Sequence, residues 1–246
     1  MSGALIYGFH AVTSRIRHNP QGVTEIYLER ERQDGRMQDL LHLAEECHIR
    51  VIMAERHRLD GMSGHAKHQG VVAKVAALPQ YHDIHDVLEK LKESALLLVL
   101  DGVQDPHNLG ACLRVADAMG VHAVIAPKDR AAGLNATVRK VASGAAETVP
   151  FITVTNLARS IRELQEEGIW VVGMTSDAPQ ELHALKLDTP MAWVLGAEGE
   201  GLRRLTRETC DQLARIPMLG SVESLNVSVA SGICLYETRR QRKTVL

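Results

Sequence analysis

The sequence predicts an α/β protein built from two domains. Apolar segments typical of β-strands alternate with helix-like segments along almost the whole chain of 246 residues, which is the pattern of a mostly parallel sheet. Hydrophobic residues make up 45% of the chain and charged residues 24%, so disorder and collagen-like repeats are excluded. Seven of the twelve histidines lie before residue 78, and this shift in composition indicates a domain boundary.

Each predicted strand is a short, mostly apolar run, and each predicted helix is a longer segment of mixed polarity. The predicted strands, in order, are Val23–Leu28, Arg50–Ala54, Gly70–Val75, Leu96–Leu100, Ala123–Ala126, Phe151–Val154, Trp170–Thr175 and Ala192–Leu195. The predicted helices are Met37–Cys47, Ile84–Glu93, Leu109–Met119, Ala136–Ala146, Leu157–Glu167 and Val227–Arg242.

The boundary divides the chain into three parts. Residues 1–78 form a small N-terminal domain, which contains a flexible loop at Gly61–Gly70, and residues 79–94 form a linker helix. Residues 95–246 form a larger domain. A domain of ~150 residues buries about 70% of its unfolded surface, which is enough for an independent core.

Several observations point to the cytoplasm. The longest apolar run, Ala95–Leu100, is far shorter than the ~20 residues that a membrane helix needs. The N-terminus lacks the basic start, apolar stretch and cleavage site of an export signal. Cys47, Cys112, Cys210 and Cys234 are scattered without a CxxC pair, which favours structural thiols in a reducing compartment.

Charge and aromatic content restrict how the chain could bind nucleic acid. A formal net charge of −2 excludes a generally basic surface, and an aromatic content of 3% disfavours a stacking platform for single strands. Any nucleic-acid binding therefore depends on local patches. His65 and His68 are three residues apart, but no cysteine or second close pair completes a tetrahedral set, so we predict surface histidines and no metal site.

Three segments of the larger domain combine glycines and polar residues at the ends of strands, where open α/β sheets bind their ligands. The first follows Leu100, and in it Asp105-Pro106 has the pattern of a helix N-cap followed by a proline at the first helical position. Gly110 would give one helix face a flat spot beside Arg114, suited to a sugar or a phosphate. An ordinary surface pair of Arg114 with Asp117 explains the spacing equally well.

The second segment is an apolar strand that ends in a loop with Gly196, Gly199 and Gly201. Glycines there let a ligand approach the backbone directly, although a plain tight turn remains an alternative. Glu198 and Glu200 disfavour a phosphate and favour a neutral or cationic ligand. The order of glycines is not that of a dinucleotide site, which disfavours a nucleotide-dependent oxidoreductase.

The third segment runs from Arg215 to Gly232. A short strand ends at Pro217, a polar loop follows, and a helix starts near Asn226, so that Ser224 or Asn226 could simply cap this helix. Gly232 lies inside the helix, where glycine costs about 1 kcal/mol relative to alanine. We interpret it as a place where another backbone packs closely.

Together the three segments resemble the signatures of the SpoU/TrmH family of RNA ribose 2′-O-methyltransferases. Asn108, Gly110 and Arg114 match the first family motif, Gly196 to Gly201 match the second, and Ile216 to Ala230 match the third. The stretches Ile6–Val12 and His68–Gly70 are similar to the substrate-binding domain of members that modify rRNA.

The resemblance implies features that spacing alone does not show. The larger domain would be a trefoil-knotted SPOUT methyltransferase domain, where the residue pattern alone favours a Rossmann-like sheet. The N-terminal domain would be a small α/β, ribosomal-protein L30e-like domain. The chain would form a homodimer through the knotted domain, with Gly232 at the contact, and would bind S-adenosyl-L-methionine in the knot.

The implied activity is methyl transfer to the ribose 2′-hydroxyl of a guanosine in 23S rRNA, with a tRNA ribose as the alternative substrate. A non-catalytic RNA-binding protein of the same fold is a third possibility. Arg114 would orient the acceptor and stabilise charge, because a guanidinium does not act as a base. The implied catalytic residues are Arg114, Asn108, Glu198 and Asn226, and the implied cofactor-binding residues are Gly196, Ile216, Leu225, Gly201 and Ser224.

Overall fold

The computed structural model describes residues 4–76 and 83–242. The chain divides into two compact units, Met1–Gln80 with Ser143–Thr148, and Tyr81–Ala142 with Val149–Leu246. The first unit is therefore discontinuous in sequence, because a short segment from within the predicted larger domain groups with it.

The first unit is a four-stranded sheet with helices. Its elements are β1 (Ala4–Tyr7), α1 (Phe9–His18), β2 (Val23–Glu29), α2 (Gly35–Glu46), β3 (Arg50–Ala54), α3 (Arg56–Ser63) and β4 (Val71–Val75). The strand order is β1-β4-β2-β3, in which β2 and β3 are parallel and the other neighbours are antiparallel. The apolar faces of α1 and α2 and the inward residues of the strands form one core.

The second unit is a seven-stranded parallel sheet. Its strands are β5 (Leu96–Asp101), β6 (Ala123–Pro127), β7 (Phe151–Val154), β8 (Trp170–Met174), β9 (Gln180–Glu181), β10 (Met191–Gly196) and β11 (Gln212–Arg215). Its helices are α4 (His85–Leu88), α5 (Pro106–Ala118), α6 (Ala136–Val141), α7 (Leu157–Glu166), α8 (Arg204–Thr209) and α9 (Val227–Gln241).

The strand order of this sheet, β7-β6-β5-β10-β8-β11-β9, brings distant parts of the chain together. Strand β10 lies between β5 and β8 and is parallel to both. All six residues of β5 are buried, as expected for a strand that is covered on both faces. Because the strands are parallel, the carboxyl ends of β5, β8 and β10 meet at one edge of the sheet.

The predicted α/β class is confirmed, and each predicted strand corresponds to an observed one. Two observed strands, β1 and β9, were not predicted, and β11 was predicted only as a short strand that ends at Pro217. Strand β1 has only four residues, β9 has two, and β11 has the sequence Gln-Leu-Ala-Arg, which lacks an apolar run. Strand β11 also ends at Arg215, two residues before the predicted end at Pro217.

The helices differ more from the prediction. The predicted helix 136–146 ends at Val141, because Ser143 (φ 52°) and Gly144 (φ 100°) have left-handed backbones that stop it. Within residues 83–94 of the predicted linker helix, only His85–Leu88 is helical, and residues 79–82 lie outside the described chain. Helices α1, α3 and α8 were not predicted, and none of the described helices is long and apolar enough to cross a membrane.

The prediction that His65 and His68 are surface histidines is wrong for His68. Its side chain is only 3% exposed, its Nε2 lies 2.9 Å from Asp60 Oδ1, and its Nδ1 accepts a hydrogen bond from the Gly70 N–H. His68 therefore fixes the backbone that leads into β4. His65 is exposed, as predicted.

Candidate active site

A cavity of about 320 Å³ lies at the carboxyl ends of β8 and β10. The second and third predicted segments line it, and the end of β8 adds a part that was not predicted. All five predicted cofactor-binding residues line this cavity, together with Glu198: Gly196, Gly201, Ile216, Ser224 and Leu225. The sequence signal that would have found the β8 contribution is the polar pair Thr175-Ser176 directly after a buried strand.

The glycine loop after β10 is a tight turn that also forms a wall of the cavity. Ala197 and Gly201 form an antiparallel bridge, and the Gly201 N–H donates to the Ala197 carbonyl at 3.0 Å. Gly199 (φ 79°) and Gly201 (φ 67°) have left-handed backbones, which glycine adopts without strain. The tight-turn alternative is therefore confirmed, and the same loop also lines the cavity.

Gly196 also has a structural role that the sequence does not predict. A Cβ at this position would lie 2.1 Å from the Gly201 carbonyl carbon and 2.4 Å from the Leu202 nitrogen. Glycine is thus required here by the returning backbone of the turn itself, before any ligand is considered. A larger side chain would open the turn and displace Glu198.

The three predicted segments meet at the side chain of Asn226. Its Nδ2 donates to Asn108 Oδ1 at 2.8 Å and to Glu198 Oε1 at 2.6 Å. Its Oδ1 accepts from the backbone N–H of Ser228 at 2.9 Å and so caps helix α9. Three of the four predicted catalytic residues therefore form one hydrogen-bonded amide–carboxylate cluster, and the capping alternative for Asn226 is also confirmed.

Asp101, the last residue of β5, was not predicted as part of the site. Its side chain is fully buried, its Oδ2 accepts from the Arg203 backbone N–H at 2.9 Å, and its Oδ1 lies 3.5 Å from Arg203 Nε. In the sheet register Asp101 faces Gly196. Both ends of the glycine turn therefore lie next to the Asp101 carboxylate. The sequence signal that would have pointed to Asp101 is an aspartate directly after a buried apolar run.

Arg114 is separate from the cluster. It is exposed on α5 and makes no hydrogen bond or ion pair with residues 4–76 or 83–242, so its guanidinium is available to a ligand. The predicted flat spot at Gly110 is wrong. Gly110 is buried, and a Cβ there would lie 2.7 Å from the Val141 Cβ and 2.9 Å from the Val138 carbonyl oxygen. The glycine lets α6 pack against α5.

The interpretation of Gly232 is also not supported within the described chain. A Cβ at Gly232 would meet only the Val115 side chain, at an ordinary contact distance of 3.7 Å. No backbone of the described residues packs closely against it.

The thiols near the site are not nucleophiles. Burial is the main reason that the pKa of Cys112 rises to about 11 and that of Cys210 to about 12, and nearby carboxylates raise both further. Both groups remain protonated at neutral pH.

A second cavity, of about 270 Å³, adjoins the first. The two cavities share Ala197, Glu198 and Val227, and Asn108 lines the second one. The amide–carboxylate cluster therefore stands at the boundary between two neighbouring spaces, an arrangement suited to a reaction between two bound molecules.

Comparisons with known proteins agree with this arrangement. A profile of the SpoU rRNA Methylase family matches residues 95–236, and a profile for RNA 2'-O ribose methyltransferase substrate binding matches residues 5–81. The 23S rRNA (guanosine-2'-O-)-methyltransferase RlmB of Nitrosomonas europaea is 62% identical over 236 residues, which cover 96% of this chain and 91% of that protein.

Two solved structures show a similar fold. The SpoU methyltransferase AviRb from Streptomyces viridochromogenes, in complex with the cofactor AdoMet, has a TM-score of 0.79 at 23% identity and covers 99% of this chain and 92% of its own. The TrmH/SpoU tRNA modifying enzyme of A. aeolicus is 31% identical, with a TM-score of 0.57, over 65% of this chain and 81% of its own.

The parallel sheet with its paired cavities and the matched substrate-binding unit define an α/β methyltransferase of RNA with an N-terminal substrate-binding domain. The chain belongs to the SpoU rRNA methylase family. The resemblance found in the three motifs is thereby confirmed.

Proposed function

We propose that this chain transfers a methyl group from S-adenosyl-L-methionine to the ribose 2′-hydroxyl of a guanosine in 23S rRNA. The observation that carries the proposal is the bridge from Asn226 to Asn108 and Glu198 at the border of two cavities. Family membership and relatives named 23S rRNA (guanosine-2'-O-)-methyltransferase at 55–62% identity support this reaction over the tRNA alternative.

The first cavity fits the methyl donor. Its volume of about 320 Å³ lies in the range of small-molecule sites, and apolar side chains of Leu195, Ile216 and Leu225 line it beside the backbone of the glycine turn. The carboxylates of Glu198 and Glu223 complement a cation. When bound, S-adenosyl-L-methionine supplies a methyl group already activated by its sulfonium charge.

Because the methyl group is already activated, the protein's tasks are to position the 2′-hydroxyl and to help remove its proton. We assign Arg114 to orienting the acceptor and stabilising the charge that develops on its oxygen, since a guanidinium keeps its protons. Asn226 holds Asn108 and Glu198 at fixed distances, so these side chains shape the boundary between donor and acceptor. RNA is the polymer because only RNA offers a 2′-hydroxyl.

The domain organisation follows the same proposal. Residues 1–78 bind rRNA, 79–94 link the domains, and 95–246 bind the methyl donor and catalyse transfer. We further propose that the first is ribosomal-protein L30e-like and that the last is trefoil-knotted, as in the family. The reducing cytoplasm, where rRNA is made, is the proposed location.

We also propose a homodimer through the knotted domain. Helix α9 presents Val229, Ile233 and Tyr236 to solvent, and these side chains line an apolar groove with Gly232. A second copy would cover this face, and sedimentation velocity of the purified protein measures whether it does.

The central experiment combines transfer and mapping. Purified protein is incubated with radiolabelled S-adenosyl-L-methionine and either 23S rRNA or total tRNA, and the 2′-O-methyl position is mapped by primer extension. We expect label at a guanosine of 23S rRNA and none in tRNA. Label in tRNA alone would overturn the proposal. So would the absence of label in 23S rRNA purified from cells that lack this protein.

A further inference from the structure

The second cavity has no assigned ligand. Its lining includes three carboxylates, from Asp105, Glu198 and Glu200, and no lysine, arginine or histidine. We propose that this cavity binds the target guanosine and that Glu200 recognises the guanine base by accepting hydrogen bonds from its N1–H and N2–H groups. The inference rests on the proposed function and assigns its base specificity.

The position of the cavity makes it the place for the acceptor nucleoside. Near-attack geometry puts reacting atoms about 3–3.5 Å apart, so the ribose must occupy a space that adjoins the methyl donor. The second cavity shares Ala197, Glu198 and Val227 with the first, and Asn108 of the amide–carboxylate cluster lines it. A nucleoside in it would place its ribose at the shared wall.

The charge of the cavity selects the part of the nucleotide that enters. Carboxylates repel a phosphate and accept hydrogen bonds, so the base is the group that fits between them. Guanine presents two adjacent donors, N1–H and N2–H, on its Watson–Crick edge. Adenine, cytosine and uracil each place an acceptor beside a single donor group there, so a carboxylate pairs with guanine through both of its oxygens and with the others through one.

Among the three carboxylates, Glu200 is the one with both oxygens available. Asp105 Oδ1 accepts from the His107 backbone N–H at 2.9 Å, and Glu198 Oε1 accepts from Asn226 at 2.6 Å. Glu200 is exposed and accepts no hydrogen bond from any residue in the described part of the chain. It lies in the closed glycine turn, between Gly199 and Gly201, so its backbone is held beside the cavity.

The test compares guanosine with inosine, which keeps N1–H and lacks the N2 amino group. An rRNA fragment that the unaltered enzyme methylates is prepared with either base at the mapped position, and kcat/KM is measured for both. A bidentate pair gives about 1–3 kcal/mol of discrimination, which is about 5- to 140-fold in favour of guanosine. Glu200→Ala and Glu200→Gln should both reduce this preference to less than threefold, through loss of activity on guanosine.

Glu208→Ala serves as the matched control, because Glu208 is an exposed carboxylate on α8 that pairs only with Arg204 among the described residues and lines neither cavity. Calorimetric titration with S-adenosyl-L-methionine is run on each variant and should give unchanged affinity. A guanosine preference retained in the Glu200 variants, or a loss of donor affinity in them, would overturn the inference. Failure of the unaltered enzyme to methylate 23S rRNA or any fragment of it would instead refute the proposed function.

Discussion

At the scale of single residues, the site contains two kinds of polar group. Asn108, Glu198 and Asn226 are already bonded to one another, so they are held in place before any ligand arrives. Arg114 is exposed and unbonded within the described residues. The bonded cluster has a fixed geometry, whereas the free Arg114 guanidinium can move with a bound substrate. This difference supports the proposed role of Arg114 toward the RNA.

Arg114→Ala should therefore lower kcat for methyl transfer by about 100-fold or more, the usual effect of removing a positioned charge-stabilising group. Affinity for S-adenosyl-L-methionine should change less than twofold, because Arg114 does not line the cavity that fits it. Single-turnover transfer and calorimetry measure the two effects. Arg159→Ala, on the exposed face of α7, is the control, and near-normal transfer by Arg114→Ala would refute the assigned role.

Gly196→Ala should destabilise the protein by about 1–3 kcal/mol, the usual cost of forcing extra atoms into a packed site. The reason is the 2.1 Å approach of the added Cβ to the Gly201 carbonyl carbon. Affinity for S-adenosyl-L-methionine should fall as the turn opens. Gly133→Ala, where no atom lies within 4 Å of the added Cβ, is the control in the same urea titration and calorimetry. Equal stability and affinity of the two variants would contradict this account.

At the scale of elements, Asn226, the N-cap residue of helix α9, has two roles. The side-chain oxygen of Asn226, Oδ1, caps the helix, and its side-chain nitrogen, Nδ2, donates to Asn108 and Glu198. Asn226→Ser keeps a good cap but loses the amide donor, whereas Asn226→Ala loses both and costs about 0.5–2 kcal/mol for the cap. We expect the free energy of unfolding of Asn226→Ser to lie within about 0.5 kcal/mol of that of the unaltered protein. Its rate of methyl transfer should fall by about tenfold or more. Thermal unfolding and transfer assays separate the tasks, and an active Asn226→Ser would leave only the capping role.

The stability that His122 contributes at the start of β5 should decrease at acid pH. His122 Nδ1 accepts from the Leu96 N–H at 3.0 Å, and burial is the main reason that the pKa of His122 is lowered, although Glu93 opposes the shift. A lowered pKa favours the neutral ring in the folded state, so this stability is present above the unfolded pKa of about 6.5 and is lost as pH falls below it. His122→Asn supplies an oxygen acceptor that does not titrate. The difference in Tm between pH 7.5 and 5.5 should be smaller in this variant, and an equal difference would contradict the assignment.

How much of these elements the sequence predicts depends on where each signal originates. Buried strands such as β5 are continuous apolar runs, and the prediction located them closely. The role of Gly110 was misjudged because its neighbour is Val141, some thirty positions along the chain. The meeting of Asn108, Glu198 and Asn226 depends on β10 lying between β5 and β8, and no local pattern contains that strand order.

At the scale of the whole molecule, the formal net charge of −2 means that rRNA affinity must come from placed contacts. Arg15 is not one of them, because its guanidinium is buried in an ion pair with Glu147 of the same unit at 2.7 Å. Deleting residues 1–78 would remove Arg15 from this pair and would separate residues 143–148 from the rest of their unit, so a truncation changes the fold as well as the RNA contacts. Substitutions at exposed cations therefore test RNA binding more cleanly than a truncation.

Replacing four exposed cations of the first unit by alanine should weaken rRNA binding and reduce its salt dependence, because each phosphate contact contributes about 0.7–0.9 to the slope of log K against log salt. Affinity for S-adenosyl-L-methionine should stay the same, since the cavity that fits it is built from other residues. Filter binding of a 23S rRNA fragment across a salt series measures both quantities. A variant that lacks four exposed cations of the second unit carries the same change in net charge and is the control. Equal affinity and equal slope in the two variants would show that these four side chains do not contact the phosphates. The first set is Arg17, Arg56, Arg58 and Lys67, and the control set is Arg159, Arg162, Lys186 and Arg204.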